Sequence, residues 1–482
     1  MALRIASRRL GSSALRARFA VPGLESQRFL SSSSPTSSNL PQDVQKTIAK
    51  DASLHSPDPP ADSATVAFLN ENTPYMVPTY VRPTPMMVKG EGCYLWDMEN
   101  RQYLDLTAGI AVNSLGHCDP QVAIIVADQS KTLIHASNLY HSPWIGALSK
   151  LLISTTLESG AMRDASQVFI SNSGTEANEA AIKFARKVGH TLDPTGSKHE
   201  LVSFKNSFHG RTLGALSATP NPKYQKPFAP MLPGFKYGTY NDIPQLETLI
   251  TDKTCGVIVE PIQGEGGVHT ASPEFLSALR ARCTAVGAVL IFDEIQCGLS
   301  RTGSLWAHAQ PSLAVDGQTT HPDILTTAKA LGNGIPIGAT LVSGESVGKH
   351  IQTGDHGTTF GGNPLACRVA HHVLGRLASP SLQENVSKRS SQFRTGFDAL
   401  RKKYPDAISE VRGSGLILGM QLSESHTSKA SEILAAARER GLLVITAGEG
   451  CLRFVPPLTI TEKEVEAGLE ILGKAMEVVF SK

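Results

Sequence analysis

"QVFISNSGTEANEAAIKFARKV", residues 167–188, sets the architecture of this chain. Val168, Phe169 and Ile170 are β-branched or aromatic, the residues of a short strand, and the run stops at Ser171, Asn172, Ser173 and Gly174, which turn a chain. From Ala177 the apolar period changes: Ala177, Ala181, Phe184, Ala185 and Val188 share one face of a helix. Ser173 followed by Glu176 has the S-x-x-E form of a capping box, so the spacing predicts a helix opening beside Gly174. A strand running straight into a helix is half of a parallel crossover unit.

The same alternation continues downstream. Strand-like runs at "LVSFKNSFH" (201–209), "CGVIVEPI" (255–262), "AVLIFDEI" (288–295), "ILTTAKA" (324–330) and "GATLVSG" (338–344) are interleaved with helical patterns such as "PEFLSALRARCTAVG" (273–287). This predicts an α/β fold, a large domain with a mainly parallel central sheet flanked by helices, spanning 111–362. "KGEGCYLWDMENRQYLDL" (89–106) alternates apolar and polar residues about a turn at Met98 to Arg101, a β-hairpin pattern, within 64–110, read as the N-terminal segment of the small domain. From 363 to 482 helical patterns dominate, with short strands at "GLILGMQL" (415–422) and "CLRFVPPL" (451–458), which reads as a smaller α+β domain.

Residues 1–30 hold six arginines (Arg4, Arg8, Arg9, Arg16, Arg18 and Arg28), no lysine and a single acid, Glu25, and a serine run follows at Ser31 to Ser34. That composition, without a continuous apolar core, predicts a mitochondrial or chloroplast transit peptide rather than a plain disordered basic tail; "RFLSSSS" (28–34) resembles matrix-processing sites with a cut near Leu30 or Ser31, which points to the mitochondrial matrix. Residues 31–63, with "SPDPPADS", read as a linker or loose arm. Removing residues 1–30 would take the formal net charge from +2 to about −3, a balance that argues against nucleic acid as a partner. Hydrophobic residues at 41% and charged residues at 18% fit a globular protein. No apolar run reaches the roughly 18 residues needed to span a bilayer. The seven cysteines are scattered and never form a CxxC pair, so they read as reduced thiols rather than a disulfide framework or a zinc site.

Three features point to chemistry. Small and hydroxyl residues at Ser173 to Thr175 precede a helix whose first N–H groups are free to bind a phosphate, although a plain helix cap has the same pattern. Asp293 follows five apolar residues in "AVLIFDEI", where a buried carboxylate needs a cation. A protonated pyridine nitrogen would serve, and a metal on Asp293 and Glu294 is the competing explanation. Lys329 in "LTTAKALGNGIPIGA" (325–339) has no carboxylate in its stretch. It is either a surface loop lysine or a buried amine that has given up its proton. Pyridoxal 5'-phosphate requires all three at once: a phosphate anchor, an acid at the ring nitrogen, and a lysine for the Schiff base.

Six ordered motifs carry a resemblance: "SNSGTEANEAAIKFAR", "FHGRTLGALSAT", "EPIQGEGGV", "LIFDEIQCGLSRTG", "TTAKALGNGIPIGA" and "HGTTFGGNPLAC". Spread between about Tyr80 and Leu458, together they resemble the class-III, fold-type-I aminotransferases that depend on pyridoxal phosphate, in their acetylornithine branch. The resemblance implies that Lys329 bears the cofactor and moves the proton, and that Asp293 pairs with the ring nitrogen. It places Gln296 near the ring hydroxyl, Ser173, Gly174 and Thr175 at the phosphate, and Phe208 on the ring face. Thr358 is expected to reach the neighbouring subunit's phosphate, giving a homodimer with shared sites. The implied substrates are N2-acetyl-L-ornithine and 2-oxoglutarate. Arg211 is expected to grip the far carboxylate of both. Arg453 takes the carboxylate beside the keto group, and Glu265 neutralises Arg453 when the donor is bound.

Taken alone, Arg211 could equally be a loop cation and Arg453 a surface strand residue. Asn113, Ser114, Tyr75 and Tyr140 are candidates for reading the acyl group. The alternatives are an ornithine aminotransferase, a succinylornithine donor, or a non-catalytic cofactor-binding homologue.

Overall fold

The continuous apolar run of residues 289–292 becomes the centre of a seven-stranded sheet because it is buried on both faces. The computed structural model describes residues 57–481. The transit peptide expected at 1–30, and all of the 31–63 arm before Pro57, lie outside the described residues. Within the described part of that arm, Asp58 forms an ion pair with Arg438 at 2.7 Å.

The helix Ala64–Asn72 opens the described chain, and three short strands follow: β1 (Met87–Glu91), β2 (Tyr94–Asp97) and β3 (Gln102–Asp105). β2 and β3 form the hairpin expected around residues 98–101. β3 then pairs in parallel with β15 (Leu442–Leu443), through Leu104 opposite Leu442. A sequence separation of more than 300 residues therefore closes within one small sheet, a pairing that no local pattern encodes.

The central sheet contains β4 (Ala165–Ser171), β5 (Glu200–Phe204), β6 (Phe235–Gly238), β7 (Thr254–Val259), β10 (Val289–Asp293), β11 (Ile324–Thr327) and β12 (Gly338–Ser343). Their spatial order is β4-β12-β11-β10-β7-β5-β6. β12 is antiparallel to both its neighbours and the other strands share one direction. The mainly parallel sheet is as the alternation predicts; β6, "FKYG", is too short and polar to have stood out. Between β7 and β10 a two-residue hairpin, β8 (Ile262–Gln263) with β9 (His269–Thr270), brackets the glycine-rich 264–267 turn.

The helix Gly174–Leu192 buries Ala177, Ala181, Phe184, Ala185 and Val188, the predicted stripe, against β4, β7, β11 and β12. Its cap differs from the capping box. Ser173 Oγ accepts from Glu176 N at 3.3 Å, but the Glu176 carboxylate accepts from Asn172, from its N at 2.6 Å and its Nδ2 at 2.8 Å. Glu176 thus braces the turn before the helix and leaves the Ser173 end open. The helix Pro273–Val286 ends at Gly287, whose φ of 66° is the left-handed conformation that suits glycine.

β13 (Ile408–Ser414), β14 (Ile417–Leu422), β16 (Ile445–Ala447) and β17 (Cys451–Phe454) form a four-stranded sheet. β14 and β17, the two strands legible in the sequence, are direct antiparallel neighbours. The helices Pro380–Lys403 and Glu462–Phe480 accompany this sheet, the second opened by a full capping box of Thr461 and Glu464. All seven cysteines are unpaired thiols. No helix among the described residues is long and apolar enough to cross a membrane.

Candidate active site

Strands of one direction end on one edge of the sheet, and the residues that follow them converge there, as ligand sites do in open α/β sheets. Ser173, Gly174 and Thr175 follow β4, Phe208 to Arg211 follow β5, Glu260 follows β7, Asp293 and Gln296 close β10, and Lys329 follows β11. All of them line one cavity of about 410 Å³, a size suited to a small-molecule ligand. One glycine is required for this convergence. At Gly210, with φ of 139°, an added Cβ would lie 2.1 Å from Thr175 Oγ1, so the 208–211 loop reaches the helix end only without a side chain there.

Asp293 is 2% exposed. Its Oδ2 accepts from Asn178 Nδ2 at 2.8 Å and from His209 Nδ1 at 2.7 Å, whereas Oδ1 receives only the Ile295 N–H, at 3.1 Å. One oxygen is held rigidly and the other keeps a lone pair for a ligand. His209 Nε2 is buried and has no hydrogen-bond partner among the described residues. Asn178 also donates to His209 O and accepts from Thr326 Oγ1, each at 2.8 Å, which locks the imidazole to the carboxylate. The adjacent Glu294 points elsewhere. Its carboxylate accepts from Ala307 N at 2.8 Å and His308 N at 2.9 Å, and it pairs with His308 Nδ1 at 2.6 Å. Asp293 and Glu294 therefore do not converge on a common ligand.

Lys329 has an unusual backbone, φ of 41°. Its amine forms no ion pair or hydrogen bond among the described residues. Burial, reinforced by the nearby Arg453 guanidinium, holds the amine below the ordinary lysine range, against the pull of Asp293, Glu265 and Glu260. The neutral amine is the nucleophilic form. Glu260 is shifted the other way: burial and Asp293 push its carboxyl up, and His209 opposes them. Its two oxygens accept from Phe208 N at 2.9 Å and Gly264 N at 3.1 Å, tying together the loops that carry Phe208 and Glu265.

Arg453 on β17 is 1% exposed. It pairs with Glu265 through Nη2 at 2.8 Å and donates to Gln296 Oε1 through Nη1 at 3.1 Å. Arg211 has no ionic partner among the described residues, and its guanidinium lies over the rings of Tyr224 and Phe208. Thr358 lies outside the lining of this cavity, its Oγ1 accepting from Asn172 Nδ2 of the same chain at 3.0 Å. Of the acyl-reading candidates, Ser114 is corrected. It is fully buried and accepts from Arg301 Nη2 at 3.0 Å, with no surface left for a ligand. Tyr75 and Tyr140 are largely exposed, while Asn113 abuts Gly334, which lines the cavity.

The sequence reading missed Asn178, His209 and Glu260. Glu260 carried the same signal as Asp293, a carboxylate ending an apolar run. Asn178 is a polar residue beside the buried stripe of its helix. His209 lay in a quoted motif with nothing local to assign it.

The cavity fits a phosphorylated pyridine on three observations. The N–H groups of Gly174 and Thr175, in the first turn of their helix, have no intrahelical acceptor. Asp293 Oδ1 keeps a free lone pair, and Lys329 offers an unpaired amine.

The sequence matches the model of the family "Aminotransferase class-III" over residues 76–476. It is 61% identical to the mitochondrial acetylornithine aminotransferase of Neurospora crassa, covering 91% of this chain and 93% of that one. It is 46% identical to the mitochondrial enzyme of the same name from Saccharomyces cerevisiae, covering 85% and 96% of the two chains. Among solved structures, an N-acetylornithine aminotransferase of Stenotrophomonas maltophilia superposes with a TM-score of 0.71 at 38% identity, over 86% of this chain and 99% of that one. An ornithine aminotransferase of Toxoplasma gondii superposes with a TM-score of 0.79 at 30% identity, over 87% and 96%.

Proposed function

The chain belongs to the class-III aminotransferases, and from that premise we propose that it transfers the terminal amino group of N2-acetyl-L-ornithine to 2-oxoglutarate. The products are N-acetyl-L-glutamate 5-semialdehyde and L-glutamate, a step of arginine biosynthesis, made in a ping-pong cycle. The enzyme is pyridoxal-phosphate dependent and mitochondrial, consistent with its named relatives. The observation that carries this reading is the 2.8 Å pair between Glu265 and the buried Arg453, which donates to Gln296 of the lysine pocket.

The donor has no charge beside its reacting nitrogen, whereas 2-oxoglutarate carries a carboxylate beside its keto carbon. A bare guanidinium would suit only the second, and leaving it unpaired in a dry site costs several kcal/mol. Glu265 neutralises Arg453 for the donor and is a third exposed, so it has room to swing away for the acceptor. Arg211 binds the far carboxylate of both substrates with its planar fork.

Pyridoxal 5'-phosphate supplies an electron sink for the bond broken at the reacting carbon. Gly174 and Thr175 would hold its phosphate, Phe208 its ring face, and Gln296 its hydroxyl. Asp293, fixed by His209 and Asn178, would keep a proton on the ring nitrogen. The Lys329 amine would act as the general base that takes the proton from the reacting carbon, its proton affinity lowered by burial.

The exposed apolar side chains Leu139, Tyr140 and Phe360 flank Thr358 and support a homodimer in which Thr358 serves the partner subunit's phosphate. The 111–362 and 363–482 division is likewise proposed as the large and small domains of each subunit.

The test is a single half-reaction. Cofactor-loaded enzyme is mixed with N2-acetyl-L-ornithine or L-ornithine without acceptor, and loss of the cofactor's visible absorbance is followed. Conversion at least about tenfold faster with acetylornithine is expected; the reverse order would reassign the donor, since a site built for one polar group strongly rejects another.

A further inference from the structure

Arg211 is a binding arginine without a carboxylate to hold it in place. Its guanidinium carbon lies 3.9 Å from the centroid of the Tyr224 ring and 5.5 Å from that of Phe208. The two rings meet edge to face, 6.1 Å apart at 82°. Tyr224 sits in a single turn, Pro222–Gln225, capped by Asn221 Oδ1, which accepts from Lys223 N at 3.0 Å. Gln225 Nε2 pins the other end to Leu216 O at 3.0 Å and Tyr237 Oη at 3.2 Å. The Tyr224 hydroxyl makes no hydrogen bond among the described residues, so its ring face is what this anchored turn presents. Phe208 and Tyr224 also line a second cavity of about 660 Å³, whereas Arg211 lines the lysine pocket. The stack forms the wall between the two.

We propose that Tyr224 is the positioning residue for substrate carboxylate recognition: its ring is a platform that holds the Arg211 guanidinium with its donor edge toward the lysine pocket. This rests on the reading above that Arg211 grips the far carboxylate of both substrates. An exposed arginine loses side-chain freedom when it binds, and a ring that orders it beforehand lowers that cost. A cation over an aromatic face is attracted by about 0.5–2 kcal/mol. An aliphatic residue at position 224 would forfeit this and leave the fork to wander. The attraction belongs to the ring, so phenylalanine retains it.

The experiment is steady-state kinetics of the holoenzyme with N2-acetyl-L-ornithine and 2-oxoglutarate, for wild type, Tyr224→Phe, Tyr224→Leu, Arg211→Gln and the Arg211→Gln/Tyr224→Leu double variant. Cofactor absorbance per subunit serves as the check on folding. Tyr224→Leu is expected to raise KM for both substrates roughly 2- to 30-fold, with kcat unchanged. Tyr224→Phe should restore wild-type KM. In the Arg211→Gln background the leucine change should add nothing, because the group it positions is gone. The proposal is overturned by unchanged KM in Tyr224→Leu, by a loss confined to kcat, by Tyr224→Phe behaving like Tyr224→Leu, or by an undiminished leucine effect without Arg211. Failure of the functional reading has its own signature, a wild-type holoenzyme that turns over neither substrate.

Discussion

At the scale of single residues, the site is a set of charges held in unequal company. Asp293 has three donors, Arg453 has a carboxylate and an amide, and Lys329 has no partner among the described residues. Depression of the Lys329 amine has a sign that can be measured. Its value in the folded protein lies below the ordinary 10.5, so between the two values the unfolded chain binds more protons and stability rises with pH. The penalty is full below the folded value and gone above 10.5. Lys329→Met should therefore raise the Tm of the cofactor-free protein at pH 7, with the gap closing as the pH approaches 10. Thermal unfolding across pH reads this directly; a gap that widens with pH would refute it. Glu265→Gln should leave Arg453 charged and unopposed. The expected result is a KM for 2-oxoglutarate lowered several-fold and a donor half-reaction slowed roughly tenfold or more, as an uncompensated cation would produce. Equal effects on both half-reactions would show that Glu265 serves only as structure. Lys329 and Asp293 were legible because each violates its surroundings in the sequence, a cation or a carboxylate amid apolar residues. His209 and Asn178 violate nothing locally, and their role exists only where a helix and a loop meet over β10.

At the scale of elements, the loops after β4, β5, β7, β10 and β11 deliver the components of the site, and the fit between loops is steric as well as electrostatic. Gly210→Ala would place a methyl within 2.1 Å of Thr175 Oγ1 at a φ of 139°. Such strain, of order 1–3 kcal/mol, would push the 208–211 loop off the helix end. Weaker cofactor retention with secondary structure intact is the expected outcome, measured by cofactor release on dialysis alongside far-UV circular dichroism. Strand and helix existence was readable from the sequence pattern, because β7, β10 and β11 are buried on both faces and the 174–192 helix has a clear stripe. The direction of β12 was not readable. Its run "GATLVS" is as apolar as its neighbours', and only the short connection from β11 forces it to return antiparallel. The capping box failed for a related reason: Glu176 had two turn donors on Asn172 within reach and bound those instead.

At the scale of the whole molecule, the proposed dimer makes a further prediction. Phe360 is 63% exposed, two residues from Thr358. Phe360→Arg should weaken self-association and, with it, cofactor retention, since the partner's Thr358 would withdraw; sedimentation against dilution with absorbance at the cofactor band measures both. A variant that stays dimeric, or a monomer that keeps its cofactor, would speak against shared sites. The sequence by itself determined the sheet-and-helix alternation, the family, the cofactor and the identity of the charged residues, because these depend on residue types and spacing along the chain. The tertiary structure decided what those charges do to one another. It placed Arg453 from the C-terminal sheet against Glu265 from the β8–β9 turn, stacked Arg211 on Tyr224, and left Lys329 without a partner among the described residues. Burial and proximity between distant segments set ion pairs and proton affinities, and neither quantity exists until the chain has folded.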